Sequence, residues 1–423
     1  MNIKSLLLGS AAALVAVTGA RAADAVVVAE PEPVDYVRVC DVYGKGFYYI
    51  PGTETCLSIN GYVRFQVNVA GDPARNLEGD DYQVGSRVRA RLNFDAREET
   101  ELGTLRAFAR VQATNAQGGS NANYAMDQAY IQLGGLLMGY RDSLWTSGVG
   151  GLEDGLLTDT DLVVGDFNTN QINYTFAANG FSATIGLEDD ATGDVVPDVH
   201  AKLVYSGAWG GAYLSAVYDE TFNAEDVAAS YASFSNQRLN GISVAPVTLA
   251  GVIPTRLQDG NNDAFALKGG VLLKNLIAAD SQLKIEGHYA FDPTVYASIA
   301  GLGTVNSLSA NNPNIVNPTP GALPIYLEWA AGAGYAQKFG KFGVAVSGQY
   351  GETFDTRFIA IVNNSPALIN LRGEYWAAVA NVGYQITNNF ATLGEVSYKN
   401  VDFGGPVGET DQFAGFLRFQ RNF

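Results

Sequence analysis

Two groups of charged residues in this chain are spaced so that they could act together. Arg64, then Arg87, Arg89 and Arg91, then Arg106 and Arg110 recur at every-second-residue spacing on three successive segments. Between Ser143 and Phe167 lie Glu153, Asp154, Asp159, Asp161 and Asp166, with no Lys or Arg among them. A basic wall facing an acidic loop across a narrow gap sets up a transverse field that orients water and dipolar solutes and sorts ions. Such a field survives screening only where the gap is shorter than the Debye length of about 8 Å. The plainer alternative is that the arginines hydrate a wall or pair with Asp95. Hydrolytic chemistry has less to draw on. His200 and His288 lie near Lys202 and Glu286, but neither sits in a nucleophile motif, and there is no G-x-S-x-G elbow beside them. Both histidines read as wall-lining residues. Two cysteines and two distant histidines fall short of the four ligands of a structural zinc site. No catalytic, metal or cofactor-binding residue is expected, and no cofactor.

The elements that must carry these groups show period-two alternation in segments of about ten residues. Leu57, Ile59, Val63, Phe65, Val67 and Val69 fall on one face and Ser58, Asn60, Arg64, Gln66 and Asn68 on the other. Val88, Ala90, Leu92, Phe94 and Ala96 oppose Arg87, Arg89, Arg91, Asn93, Asp95 and Arg97, and Leu105, Ala107, Ala109, Val111 and Ala113 oppose Arg106, Arg110, Gln112 and Thr114. The pattern predicts an all-β chain of sixteen antiparallel strands: 57–70, 82–97, 104–113, 124–133, 136–143, 170–178, 181–188, 198–206, 210–219, 263–276, 281–291, 325–338, 342–353, 374–387, 390–401 and 412–423. The connections alternate between long loops and short turns such as Gly134-Gly135, Asn179-Gly180 and Asn388-Asn389. Short turns on one rim and long loops on the other are the arrangement of a transmembrane β-barrel with periplasmic turns and outer loops. A soluble sandwich also alternates, but here the apolar faces recur along almost the whole chain and leave no second class of strand to fill a core. Aromatics stand near strand ends, as at Tyr335, Phe339 and Phe342, at Tyr384 and Phe390, and at the terminal Phe423.

Composition agrees with a chain whose outside faces lipid. Charged residues make up 16% and aromatics 11%, and there are 48 glycines. The net charge of −17 argues against nucleic acid as a partner, because phosphate binding needs a basic face. Residues 1–22 read as an export signal: Lys4, an apolar core from Leu6 to Val17, and Ala20-Arg21-Ala22 as the cleavage site. After it no run of 18 apolar residues occurs; the best candidate, Ala264 to Ala279, is broken by Lys268 and Lys274. Export places Cys40 and Cys56 in an oxidising compartment, where they can close one disulfide loop or remain two thiols; a disulfide is the expectation. Residues 23–56, with the proline-stiffened Glu30-Pro31-Glu32-Pro33, read as an N-terminal periplasmic or barrel-entering arm, and 57–423 as the barrel.

Tyr36-Val37-Arg38-Val39-Cys40 and the block from Tyr48-Tyr49-Ile50-Pro51-Gly52 through Cys56 to Arg64 resemble the general porins of alphaproteobacterial outer membranes. The likeness continues through Ser86–Leu92, Asp127–Gly135 and Ser143-Leu144-Trp145 and becomes mainly architectural after about residue 180. It implies a bacterial outer-membrane homotrimer of sixteen-stranded barrels, seated among lipid and lipopolysaccharide, each with its third long loop folded into the lumen. It implies passive diffusion of small hydrophilic solutes and ions. A substrate-specific channel for sugars or oligopeptides is the alternative, resting on Tyr62, Phe108 and Tyr130 on otherwise Arg-, Gln- and Asn-rich faces. Loops 220–262 and 292–324 carry no matching motif.

Overall fold

The computed structural model describes residues 38–71, 82–116, 124–160, 162, 164–190, 195–220, 252–254, 263–299, 325–362, 365–404 and 409–423. The export signal, the arm before Arg38, Asp161 and most of the loops 220–262 and 292–324 lie outside the described residues.

Alternation produces what it predicts. Sixteen long strands follow one another in antiparallel order: β1 (Cys56–Gly71), β2 (Tyr82–Thr100), β3 (Gly103–Ala116), β4 (Ala125–Leu133), β5 (Leu136–Asp142), β6 (Asn168–Ala178), β7 (Phe181–Glu188), β8 (Asp198–Gly207), β9 (Gly210–Asp219), β10 (Ala264–Lys274), β11 (Ser281–Ala290), β12 (Ile325–Phe339), β13 (Phe342–Thr353), β14 (Glu374–Thr387), β15 (Phe390–Asp402) and β16 (Glu409–Asn422). β16 pairs back onto β1, from Tyr62 opposite Asn422 to Ala70 opposite Ala414, so the sheet closes and no edge is left unpaired. The terminal Phe423 completes the seam by exchanging backbone hydrogen bonds with Gly61, both 3.1 Å. Two dipeptide strands join the same sheet: Tyr48–Tyr49 on β1 and Ser298–Ile299 on β12.

Side chains alternate across the wall as the pleat demands. Ile59, Val63, Phe65 and Val67 of β1 point out and are exposed, while Ser58, Tyr62 and Gln66 point in and are buried. The exposed apolar face is what lipid covers. Rings ride on this outer face near both rims. Phe342–Tyr384 (4.6 Å) and Phe181–Tyr205 (4.5 Å) mark the short-turn rim, and Trp376–Tyr398 (4.8 Å) and Trp329–Tyr350 (5.6 Å) the long-loop rim. The short turns use conformations their residues favour: Asn179 (φ 52) and Gly180 (φ 83) both take the left-handed form that a two-residue hairpin needs.

One expectation needs correcting. The stretch 354–373, read as a loop, contains the strands Thr356–Val362 and Ser365–Leu371. With Val252–Pro254 they form a separate three-stranded sheet. The apolar run Phe358-Ile359-Ala360-Ile361-Val362 followed by Asn363-Asn364 is itself a hairpin signal.

At the short-turn rim, Cys40 and Cys56 are joined by a disulfide, with Cα atoms 6.0 Å apart. Tyr48 and Tyr49 pair with Leu57 and Cys56, and the Arg97 guanidinium stacks over Tyr43 and Phe47 at 5.6 and 5.1 Å. Residues 39–56 are thereby tied to the foot of β1 and β2.

Candidate pore and its lining

The third long loop, 143–167, runs inside the barrel, and charged side chains on the inner wall hold it there through its backbone. Glu188 of β7 accepts from Ser143 Oγ (2.8 Å) and Leu144 N (2.6 Å). Lys202 of β8 donates to the carbonyls of Leu144 (3.2 Å) and Ser147 (2.5 Å). Lys284 of β11 donates to the Glu153 carbonyl, and Glu286 accepts from Gly155 N at 3.0 Å. Glu395 of β15 accepts from the backbone of Asp159 (2.7 Å) and Thr160 (2.5 Å). A loop removed from water must find partners for its peptide groups, and these ionic side chains supply them. The return leg is fixed by Trp145 Nε1 donating to Val164 O (2.9 Å) and by Ser143 N donating to Phe167 O (3.0 Å).

Apolar packing completes the attachment. Trp145, Leu156, Leu162 and Val164 of the loop form one buried cluster with Tyr296, Ala297 and Ile299. The inner faces of β9, β10, β11, β12, β14 and β15 join it through Val217, Ala266, Ala290, Ala330, Tyr375, Val379 and Val401. Tyr296 Oη donates to Asp198 (2.6 Å) and Glu188 (3.2 Å), pinning a second connection, 291–299, beside the first. His200 lies under this layer, 1% exposed, with Nε2 3.3 Å from Glu188 and its ring edge-on to Tyr296. His288 is also buried, facing Leu327 O at 3.4 Å. Both histidines are on inward faces, covered by protein.

The six predicted arginines sit elsewhere on the circumference, on the inner faces of β1, β2 and β3, where five are half-buried and Arg89 is buried. Cross-strand register puts Arg64 opposite Arg89, Gln66 opposite Arg87, and Tyr62 opposite Arg91. Arg106 binds Asp95 through two hydrogen bonds (2.9 and 2.8 Å), and Arg97 binds the same carboxylate. Asp127 of β4 lies 3.4 Å from Arg91 and 3.5 Å from Arg110. Arg91 also donates to Gln112 (2.7 Å), Arg64 to Gln420 (2.8 Å) and Arg89 to Thr114 (3.1 Å).

The loop carboxylates divide between two walls. Asp159 makes a bidentate pair with Arg418 of β16, beside the arginine set. Asp154 pairs with Lys268 of β10 at 2.8 Å, on the far side from the arginines. Burial pushes the Asp154 carboxyl up to about 6 against the opposing pull of Lys268. Glu153 and Asp166 are exposed. Asp161 is outside the described residues. The wall residues that hold the loop, Glu188, Lys202, Lys268, Lys284, Glu286, Glu395 and Arg418, are not among the expected pore residues, although Lys202 and Glu286 stand out beside the histidines. Each alternates onto the polar face of its strand, which was the available signal. Only ring closure brings Arg418 next to Gln66, at 2.9 Å.

A closed antiparallel barrel with an apolar exterior, aromatic belts at both rims and an infolded charged loop defines an outer-membrane channel protein. The chain belongs to the porin subfamily, whose sequence profile matches residues 24–414. It is 32% identical to porin Omp2b of Brucella neotomae, with 100% of each chain covered. It is 42% identical to porin Omp2b of Brucella suis over 243 residues, covering 52% of this chain and 66% of that one. Among solved structures, the outer membrane channel DcaP of Acinetobacter baumannii superposes with a TM-score of 0.55 at 14% identity, covering 89% of this chain and 99% of the other. The protein is an outer-membrane porin that forms a diffusion channel and performs no catalysis.

Proposed function

We propose that small hydrophilic solutes and ions pass along an off-centre path between the infolded loop and the inner faces of β16, β1, β2, β3 and β4. The observation that carries this reading is the contrast in burial around the wall. The side chains of Lys268 and Lys284 are 2% and 5% exposed beneath the loop, whereas those of Arg91, Arg106 and Arg110 are 22–25% exposed; on this wall Arg89 and Arg418 are buried. Water reaches the second set. The basic wall then comprises Arg64, Arg87, Arg89, Arg91, Arg106 and Arg110, with Asp159 as the loop's nearest opposing carboxylate. Because Asp95 and Asp127 neutralise part of that wall, ion preference is weak despite the acidic total charge. The chain works as a homotrimer in outer-membrane lipid and lipopolysaccharide, after removal of residues 1–22 as an export signal.

The alternative, a sugar or oligopeptide channel, draws on Tyr62, Phe108 and Tyr130. Phe108 and Tyr130 stack at 5.1 Å, but guanidinium groups already cover these rings: Arg64 over Tyr62 at 4.7 Å, Arg106 over Phe108 at 5.0 Å, Arg141 over Tyr130 at 5.4 Å. Ring faces so occupied offer no open stacking slide, which favours diffusion.

Reversal potential across a salt gradient in planar bilayers tests the path. Neutralising Arg87, Arg89 and Arg91 to Gln moves the preference towards cations, and neutralising Asp159 and Asp161 to Asn moves it towards anions, each more strongly at low salt. Unchanged potentials in both variants would show that current does not run along this wall.

A further inference from the structure

Compensation of the arginines is uneven. Asp127 serves Arg91 and Arg110, and Asp95 serves Arg97 and Arg106. The other group is Arg64, Arg87, Arg89 and Arg418, and among the described residues its one ion-pair partner is Asp159, bound by Arg418. Gln66 lies opposite Arg87 on one side and Arg418 on the other, and Arg64 lies directly opposite Arg89. Four guanidinium groups therefore surround Gln66 on three neighbouring strands. Like charges facing each other across a strand pair repel, so folding alone does not favour this arrangement.

Neutral partners fix the guanidinium planes. Arg418 Nε donates to Gln66 Oε1 (2.9 Å), Arg64 Nε to Gln420 (2.8 Å) and Arg89 Nε to Thr114 (3.1 Å). Two donors are left over. Arg87 Nε and Arg89 Nη2 are buried with no hydrogen-bond partner among the described residues, and Arg89 as a whole is 7% exposed. A buried charged donor without an acceptor is costly, and here two lie within one cationic cluster.

We propose that this cluster is a binding subsite for a small doubly charged oxoanion of the phosphate type. The inference rests on the solute path running along this wall and adds what that path retains. Guanidinium forks match the paired oxygens of an oxoanion, which a spherical halide cannot engage at two points. Four cations against one carboxylate favour a divalent over a monovalent guest. Inorganic phosphate and the phosphate of a small monoester present the same oxygens; comparing the two probes separates the sources. Asp159 competes with the guest for Arg418.

The test is chloride current through the full chain in planar bilayers at pH 8, titrated with inorganic phosphate and then with a glycerol phosphate. In the wild type the current falls along a saturating curve. In R87Q/R89Q the half-saturating phosphate concentration rises by about tenfold or more, as loss of a charge-assisted hydrogen bond implies. In D159N it falls, because the competing carboxylate is gone. If R87Q/R89Q yields no channels, D159N decides: a lower half-saturating concentration supports the subsite, and an unchanged or higher one overturns it. A wild-type current that declines without saturation, or a double variant that matches the wild type, overturns it too. Absence of any wild-type conductance would instead defeat the diffusion reading itself.

Discussion

Asp154 and Asp159 stand five positions apart on one loop, yet the barrel treats them differently. Asp159 meets a guanidinium beside the half-open arginine wall, and Asp154 is buried against Lys268 on the covered side. Burial pushes the Asp154 carboxyl up to about 6, so it loses its charge in mild acid. The sign for stability follows from the same shift. A carboxyl raised in the folded state contributes stability that is complete below about 4 and is lost as pH rises through about 6. Acidification in this window thus removes charge without loosening the fold through this group. Between pH 7 and pH 5 the reversal potential should move towards anions, and D154N, already neutral, should show a smaller movement; equal movement in both would assign the effect to other groups. At this scale the sequence displayed the six arginines and the acidic stretch, because strand alternation and loop composition are local properties. It did not display which carboxylate meets which cation. That depends on how the loop crosses the lumen, and Arg418 joins Arg64 and Gln66 only when the last strand closes on the first.

Elements fit together here by leaving space as much as by filling it. A Cβ at Gly186 of β7 would lie 2.3 Å from Leu144, and one at Gly334 of β12 would lie 2.9 Å from the backbone nitrogen of Leu157. Both glycines are on inward faces, so the wall is thinned where the loop passes. Filling such a site costs about 1–3 kcal/mol by overpacking, enough to shift a loop between docked and displaced positions by factors of roughly 5 to 150. Gly334→Val should therefore weaken docking, raising single-channel conductance and speeding liposome swelling in larger sugars, while circular dichroism keeps its β signature. A variant with wild-type conductance and size exclusion would mean that the loop tolerates the side chain. The strands were legible in outline: every expected strand is present, and its ends fall within a few residues of the alternation, because a lipid-facing wall imposes period two along its length. The inward course of the loop was not legible from its residues. Its glycines suit an outward loop equally well, and the charged partners that decide its course sit on six strands, β7, β8, β10, β11, β15 and β16. Resemblance to a family supplied that expectation, and the wall-to-backbone hydrogen bonds supply its physical cause.

For the molecule as a whole, the outer face of β2, β3 and β4 offers small residues at paired positions. Cross-strand register pairs Ala90 with Ala113, Ala96 with Ala107, and Ala109 with Ala129, all on the lipid side. Larger side chains, Val88, Phe94, Leu105 and Ile131, stand among these alanines. In lipid there is no hydrophobic drive to bring two apolar surfaces together, so close approach of small-residue faces is what makes association favourable. These alanines give that approach to a neighbouring barrel, and the first of their strands, β2, pairs with β1. Our proposal of a trimer therefore leads to a directional expectation. Native mass spectrometry in detergent should give three chains for the wild type. The double substitution A96W/A107W, which places two large rings among these alanines, should shift the distribution towards single chains. The rings remain compatible with lipid, and the inner wall is untouched, so dissociated barrels should still conduct in proportion to their number. A conducting wild type found only as single chains would refute the trimer. A trimer that survives both tryptophans would move the contact to another part of the wall.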